Sequence, residues 1–244
     1  MMKSTFLSKK KLVLETTGDG SPTLYVPELD EHYHSMNGAI AESLHVYIKV
    51  GLNHYIRSFN YIVKEIQVLE LGFGSGLNAF LTALEAERQK IKIRYTTLDN
   101  YPLSQEITDQ LNYSAENQNL FRRIHQSAWE IPVSITPYFT LQKSAIDFVY
   151  FDFPDKYDVV YYDAFAPDKQ PKTWSQELFD KLFSAMNPGG VLTTYCAKGS
   201  IRRMMQQAGF KVDRIPGAPG KREMLRANVL GYSDNNKEKK EQQQ

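Results

Sequence analysis

Three glycines at alternate positions stand in the run Glu70-Leu71-Gly72-Phe73-Gly74-Ser75-Gly76. Such a run turns sharply and lets a ligand lie against bare backbone. A helix that follows it aims its free amides at that ligand. A dinucleotide-binding loop would need G-x-G-x-x-G. Leu77 stands where its third glycine should be, which disfavours a nicotinamide oxidoreductase. Further along, Asp99 closes an apolar run, and its carboxylate can accept both hydroxyls of a ribose. Asp163 closes another and is followed by Ala164-Phe165-Ala166-Pro167. A carboxylate at that place, beside a bound ligand, is suited to catalysis, with Phe165 and the proline as a stiff wall over the reacting centre.

These residues can cooperate only if the chain brings them to one edge of a sheet. The apolar runs at residues 66–71, 91–99, 144–151, 157–163, 191–196, 210–215 and 222–230 predict seven strands. Helical spacing and good helix formers fill residues 77–90, 174–186 and 200–209 between them, the last ending at Gly209. Strands alternating with helices predict an α/β fold of Rossmann-like type, with a mostly parallel seven-stranded sheet. Ligands of such sheets bind outside the carboxyl ends of the strands. Ahead of the sheet, residues 1–60 predict a β-hairpin with Gly18-Asp19-Gly20 turn chemistry and then a helix over 37–59. Residues 61–230 form the α/β domain, and the polar tail 231–244 is expected to be disordered.

Length and composition agree with that organisation. The 244 residues are 42% apolar and 23% charged, which excludes collagen-like, wholly disordered and membrane-embedded chains. No run reaches the length of a membrane helix, and the basic N-terminus lacks the apolar segment of a secretory signal. A single cysteine rules out an internal disulfide framework and fits a reducing cytoplasm. The net charge of +1 excludes a globally basic nucleic-acid binder, yet residues 198–226 carry eight bases against two acids. That stretch, with Lys198, Lys221 and Arg222, suits phosphate contacts. Tyr33, Phe165 and Trp174 are candidates for stacking on splayed bases. His32 and His34 have a spacing that could suggest a metal, but no cysteine cluster or His-Glu-x-x-His pattern supports one, and no metal is expected. Cys196 and Met204-Met205 read as core.

An acid ahead of G-x-G-x-G resembles the first motif of the class I S-adenosylmethionine-dependent methyltransferases. The blocks LELGFGSGLNAF, DNYPLS, VVYYDAFAPDKQPKTWSQELF, NPGGVLTTYCAKGSIRRMMQQAGF and PGAPGKREMLRA, with EHYHSMNGAIAESLHVYIKVGL before them, are similar in kind and order to the methyltransferase domain of the MnmC family of bacterial tRNA-modifying enzymes. The resemblance spans residues 15–230 and matches the stand-alone, MnmD form, since no second nucleotide fingerprint is present. It implies S-adenosylmethionine as cofactor, held by Glu70, Gly72, Gly74, Gly76, Asn78, Asp99, Asp147 and Asp163, with Asp147 toward the adenine amino group. Asp99 stands where many relatives carry glutamate. The implied reaction methylates 5-aminomethyl-(2-thio)uridine at wobble position 34 of tRNA to the 5-methylaminomethyl form, in the cytoplasm. Asp163 and Phe165 are then the catalytic pair. The anticodon stem-loop is met by Tyr33, His34, Lys198, Lys221 and Arg222, and a separate enzyme supplies the aminomethyl precursor. The alternatives are an aminopropyltransferase of the spermidine-synthase kind, a small-amine methyltransferase on the same fold, or a tRNA-binding protein without catalysis.

Overall fold

The computed structural model describes residues 12–231; the basic N-terminal stretch and nearly all of the polar tail lie outside them. The chain opens with strands β1 (Val13–Thr16), β2 (Pro22–Val26) and β3 (Glu31–His32), which form a three-stranded antiparallel sheet. A continuous helical segment follows: α1 (Ala39–Ser43), a π-helical stretch (Leu44–Leu52) and α2 (Asn53–Ser58). The α/β part then runs β4 (Glu65–Leu71), α3 (Leu77–Gln89), β5 (Lys92–Leu98), α4 (Gln105–Thr108), α5 (Gln118–Gln126), β6 (Pro132–Thr136), β7 (Phe139–Ser144), β8 (Tyr157–Tyr162), α6 (Gln176–Ala185), β9 (Met186–Thr194), α7 (Gly199–Ala208), β10 (Lys211–Pro216) and β11 (Glu223–Asn228).

The main sheet has the order β10-β11-β9-β8-β4-β5-β7-β6. The five strands from β9 to β7 are parallel, and β11, β10 and β6 run against their neighbours. Pattern explains position. In β8, Tyr157 to Tyr162 are all buried, as a central strand covered on both faces must be. Alternate residues divide between the faces. Val68, Val159 and Tyr161 join one core with Tyr47 and Leu52 of the N-terminal helical segment and with α3. Leu69, Leu71, Val160 and Tyr162 join the other, with Phe179 of α6 and Met205 of α7. The N-terminal segment therefore shares the core of the sheet.

Helix ends follow side-chain chemistry. Ser175 accepts the Leu178 N–H at the start of α6, and Gly209, with φ 113°, closes α7 in the left-handed region.

The sheet has eight strands among the described residues, one more than the sequence predicts. The third predicted strand is also displaced. Residues 144–151 are not a strand beyond Ser144. The Asp147 carboxylate accepts the Val149 N–H at 3.1 Å and starts a single 3-10 turn, Phe148–Tyr150. The strand at this sheet position is β7, and the hairpin partner β6 forms the edge. Lys143 interrupts the apolar pattern of β7. It is nonetheless buried, because its ammonium donates to the carbonyls of Ile124 and His125 at 2.9 and 2.8 Å and lies over the ring of Trp129. A lysine satisfied by the end of a helix can sit inside a sheet.

Candidate active site

The strands β9, β8, β4, β5 and β7 end along one edge of the sheet, and a cavity of about 550 Å³ lies over that edge. Such a volume suits a cofactor-sized ligand. Its roof is the hairpin segment that carries Glu31 to Met36. The strand order sets the layout. Turns after β4, β5 and β7 bring Gly72, Gly74, Asp99 and Asp147, and the first turn of α3 brings Asn78. Asp163 and Phe165 follow β8 and Tyr195 follows β9, so they line the other half.

The glycine loop is shaped by two close approaches. Gly72 has φ 99°, and a Cβ there would lie 2.5 Å from the Asp163 carbonyl oxygen. Gly74, at φ 50°, lies under Tyr33, whose ring a Cβ would meet at 3.0 Å. These conformations and contacts require glycine. Gly76 starts α3 in a left-handed conformation and faces away from the cavity lining, toward His125 and Phe73.

Asp99 ties the loop down. Its Oδ2 accepts the Gly74 N–H at 2.8 Å and its Oδ1 the Tyr101 N–H at 2.7 Å. Each oxygen keeps a second lone-pair direction, which suits the two hydroxyls of a ribose. Burial pushes its carboxyl above the usual range. Asn78 donates from Nδ2 to Oδ2 of Asp163 at 2.8 Å, while its buried Oδ1 has no partner. An orphaned buried acceptor beside a bare glycine loop is a place for a ligand donor, so these residues fit a nucleoside cofactor bearing an amino-acid group.

Among the carboxylates that line the cavity, Asp163 is the one carried into the neutral range. Burial pushes its carboxyl up to about 7; the nearby Tyr47 hydroxyl pulls it down, the Glu42 charge raises it, and Asn78 and Lys221 lower it. Near neutrality such a group can exchange a proton with a bound ligand. Phe165 stands beside it, edge-on to Tyr33 with ring centroids 5.3 Å apart.

The other predicted residues divide. Glu70 is fully buried beneath the loop; it accepts the Thr97 hydroxyl at 2.7 Å and does not line the cavity. Burial holds its carboxyl well above the usual range. His34 lines the cavity between Thr23 and Ser75, at 3.4 and 3.2 Å, and burial drives its imidazole down to about 4, so it is neutral. His32 instead meets Glu15 at 3.1 Å, so the two histidines have separate partners. Lys198 pairs with Asp168, and Arg222 is exposed; neither lines the cavity. Trp174 does not face a ligand and cannot stack on a base. It is buried against Tyr162, and its Nε1 donates to the Phe165 carbonyl at 2.8 Å. Lys221 turns into the cavity, onto Glu42.

Glu42 and Tyr195 were not legible as site residues. Glu42 sits in a helical run where an acid is ordinary, and Tyr195 ends an apolar strand. Tyr47 reads as a core position by helical spacing, yet its hydroxyl acts on Asp163.

Residues 92–229, over half of the chain, match the model of a family described as S-adenosyl-L-methionine-dependent methyltransferase. The chain is 28% identical over 220 residues to the tRNA 5-methylaminomethyl-2-thiouridine biosynthesis bifunctional protein MnmC of Leptospira interrogans, covering 85% of this chain and 33% of that protein. It is 28% identical over 224 residues to the protein of that name from Cupriavidus necator, covering 87% and 33%. The chain thus spans about a third of the length of these relatives. Among solved structures, MnmC2 from Aquifex aeolicus superposes with a TM-score of 0.72 at 22% identity, over 95% of this chain and 76% of that one, which is a likeness of fold.

Proposed function

The chain belongs to the S-adenosyl-L-methionine-dependent methyltransferase family, and from that premise we propose that it methylates a primary amine: the 5-aminomethyl group of a (2-thio)uridine at wobble position 34 of tRNA. The observation that carries the reading is Asp163, a carboxylate poised near neutrality beside the glycine loop in one cavity. The names of the curated relatives support the nucleoside. The cofactor lies along Gly72, Gly74 and Asn78, with its ribose on Asp99 and its adenine toward Asp147. When bound, S-adenosylmethionine supplies a methyl group made electrophilic by sulfonium charge.

The chain's own residues then have a defined task. An alkylammonium has no lone pair, and the reference value for such amines is near 10.4. Asp163 accepts one N–H proton from the amine and orients the freed lone pair toward the methyl carbon. Asn78 fixes the carboxylate from the side. Phe165 and Tyr33 wall the reacting centre from water. Lys198 and Arg222 contact phosphates of the anticodon stem-loop. A separate enzyme leaves the aminomethyl group on the uridine, and the protein works where tRNA matures, in the cytoplasm. Among the described residues, no helix is long and apolar enough to cross a membrane.

The test is transfer of labelled methyl to tRNA from cells lacking this modification, followed by digestion and mass spectrometry of nucleosides. Label in 5-methylaminomethyl-uridine, lost by at least about a hundredfold in Asp163→Asn with S-adenosylhomocysteine binding retained, is the expected result. Equal turnover in parent and variant removes Asp163 from the chemistry; label in another nucleoside overturns the substrate.

A further inference from the structure

Lys221 belongs to the turn between β10 and β11, a surface position from which a lysine would ordinarily reach solvent. Its Nζ instead lies 2.5 Å from Oε1 of Glu42 and 4.5 Å from the centroid of the Tyr195 ring. Both partners are fixed. The second oxygen of Glu42 accepts the Ser35 N–H at 2.7 Å, and the Tyr195 hydroxyl donates to the Ala164 carbonyl at 2.8 Å. A held carboxylate with an aromatic face beside it is a receptor for an ammonium group.

The receptor is placed for chemistry. Tyr195 follows β9 and Asp163 follows its neighbour β8, so both stand in the half of the cavity away from Asp99 and Asp147. Asn78, 3% exposed, lines the same cavity and holds Asp163 through Nδ2. The Glu42 side chain is 9% exposed, so its charge favours a cation beside it. The Lys221 side chain is 33% exposed, so it has a way out toward solvent. Whatever replaces it on Glu42 must itself be cationic.

We propose that Glu42 and the Tyr195 ring are the receptor for the acceptor amine in its ammonium form, and that Lys221 occupies this receptor in the empty protein and is displaced when the amine enters. The inference rests on the reading that the acceptor is a primary amine. Exchange of one ammonium for another keeps the buried charge balanced. A wobble uridine without the amine cannot drive the exchange, so the receptor selects precursor over unmodified tRNA before any methyl moves.

The experiment uses the full-length protein saturated with S-adenosylhomocysteine, which prevents turnover, and two tRNAs of one sequence. One carries 5-aminomethyluridine at the wobble position and the other plain uridine. Dissociation constants come from fluorescence anisotropy. The parent should prefer the aminomethyl tRNA by about tenfold or more. Glu42→Gln and Tyr195→Leu should each bring the two affinities together with plain-uridine binding unchanged, and Lys221→Met should widen the preference. Glu42→Gln retaining the parent ratio overturns the receptor. Lys221→Met weakening both tRNAs equally makes Lys221 a phosphate contact and overturns the displacement. If Glu42→Gln or Lys221→Met fails a melting control, Tyr195→Leu still decides. A parent that methylates the aminomethyl tRNA but binds both tRNAs alike defeats this inference alone; a parent that does not methylate it defeats the reading beneath.

Discussion

A carboxylate held near neutrality in a buried site is useful for moving a proton and costly for folding. Asp163 illustrates both sides. Its folded value, about 7, lies above the ordinary 3.8, so the folded chain holds that proton longer than the unfolded one. The associated stability is complete below the ordinary value and is lost as pH rises through about 7. Asp163→Asn should therefore melt with the parent at pH 4 and above it at pH 8, by on the order of 1–3 kcal/mol. Thermal unfolding at the two pH values decides, and a variant that melts lower at pH 8 refutes it. Activity should run the other way. The parent's turnover should rise as pH passes about 7 and Asp163 ionises, and the Asp163→Asn residual should lack that step. The aspartate was legible because it closes an apolar run and precedes Ala164-Phe165-Ala166-Pro167. Its proton affinity was not, because that depends on burial and on Glu42, Asn78 and Lys221, which lie far away along the chain.

At the scale of elements, the turn from β4 into α3 is where local sequence and tertiary contact agree most closely. Gly72 satisfies two requirements at once: a positive φ, and an approach to the Asp163 backbone that leaves no room for a methyl group. Gly72→Ala should cost on the order of 2 kcal/mol or more, and it should weaken S-adenosylhomocysteine binding because the loop moves with it. Denaturant unfolding with calorimetric titration tests both, and unchanged binding removes the loop from the cofactor site. The β6–β7 hairpin shows the opposite case. Phe139–Ser144 contains Gln142 and Lys143, a pattern that conceals a strand in the sequence. Lys143 becomes a core residue only because α5 ends beside it and presents two carbonyls. The neighbouring run at 144–151 looks more strand-like but yields to Asp147, which binds its own backbone and makes a turn.

On the scale of the whole molecule, charge and topology carry the argument. The net charge of +1 gives no overall attraction to a nucleic acid, so affinity for tRNA must come from local bases. Arg203 and Arg222 are both exposed in the basic stretch. The double variant Arg203→Gln/Arg222→Gln should weaken tRNA binding and lower the slope of log affinity against log salt by about 1–2, with S-adenosylhomocysteine binding intact. An unchanged slope would place the phosphate contacts elsewhere. The sequence alone determined the α/β class, the glycine loop, the strand-end aspartates and an N-terminal hairpin and helix, because apolar period, glycine spacing and turn residues are local signals. Only the tertiary structure decided which residues share the cavity. It turned Lys221 inward, raised Glu42 and Tyr195 from ordinary positions to its lining, placed Glu70 beneath the floor and buried Trp174. Those outcomes depend on pairs far apart in the chain, such as Glu42 with Lys221, whose charges find each other only after the sheet has brought the N-terminal helix against the turn between its last two strands.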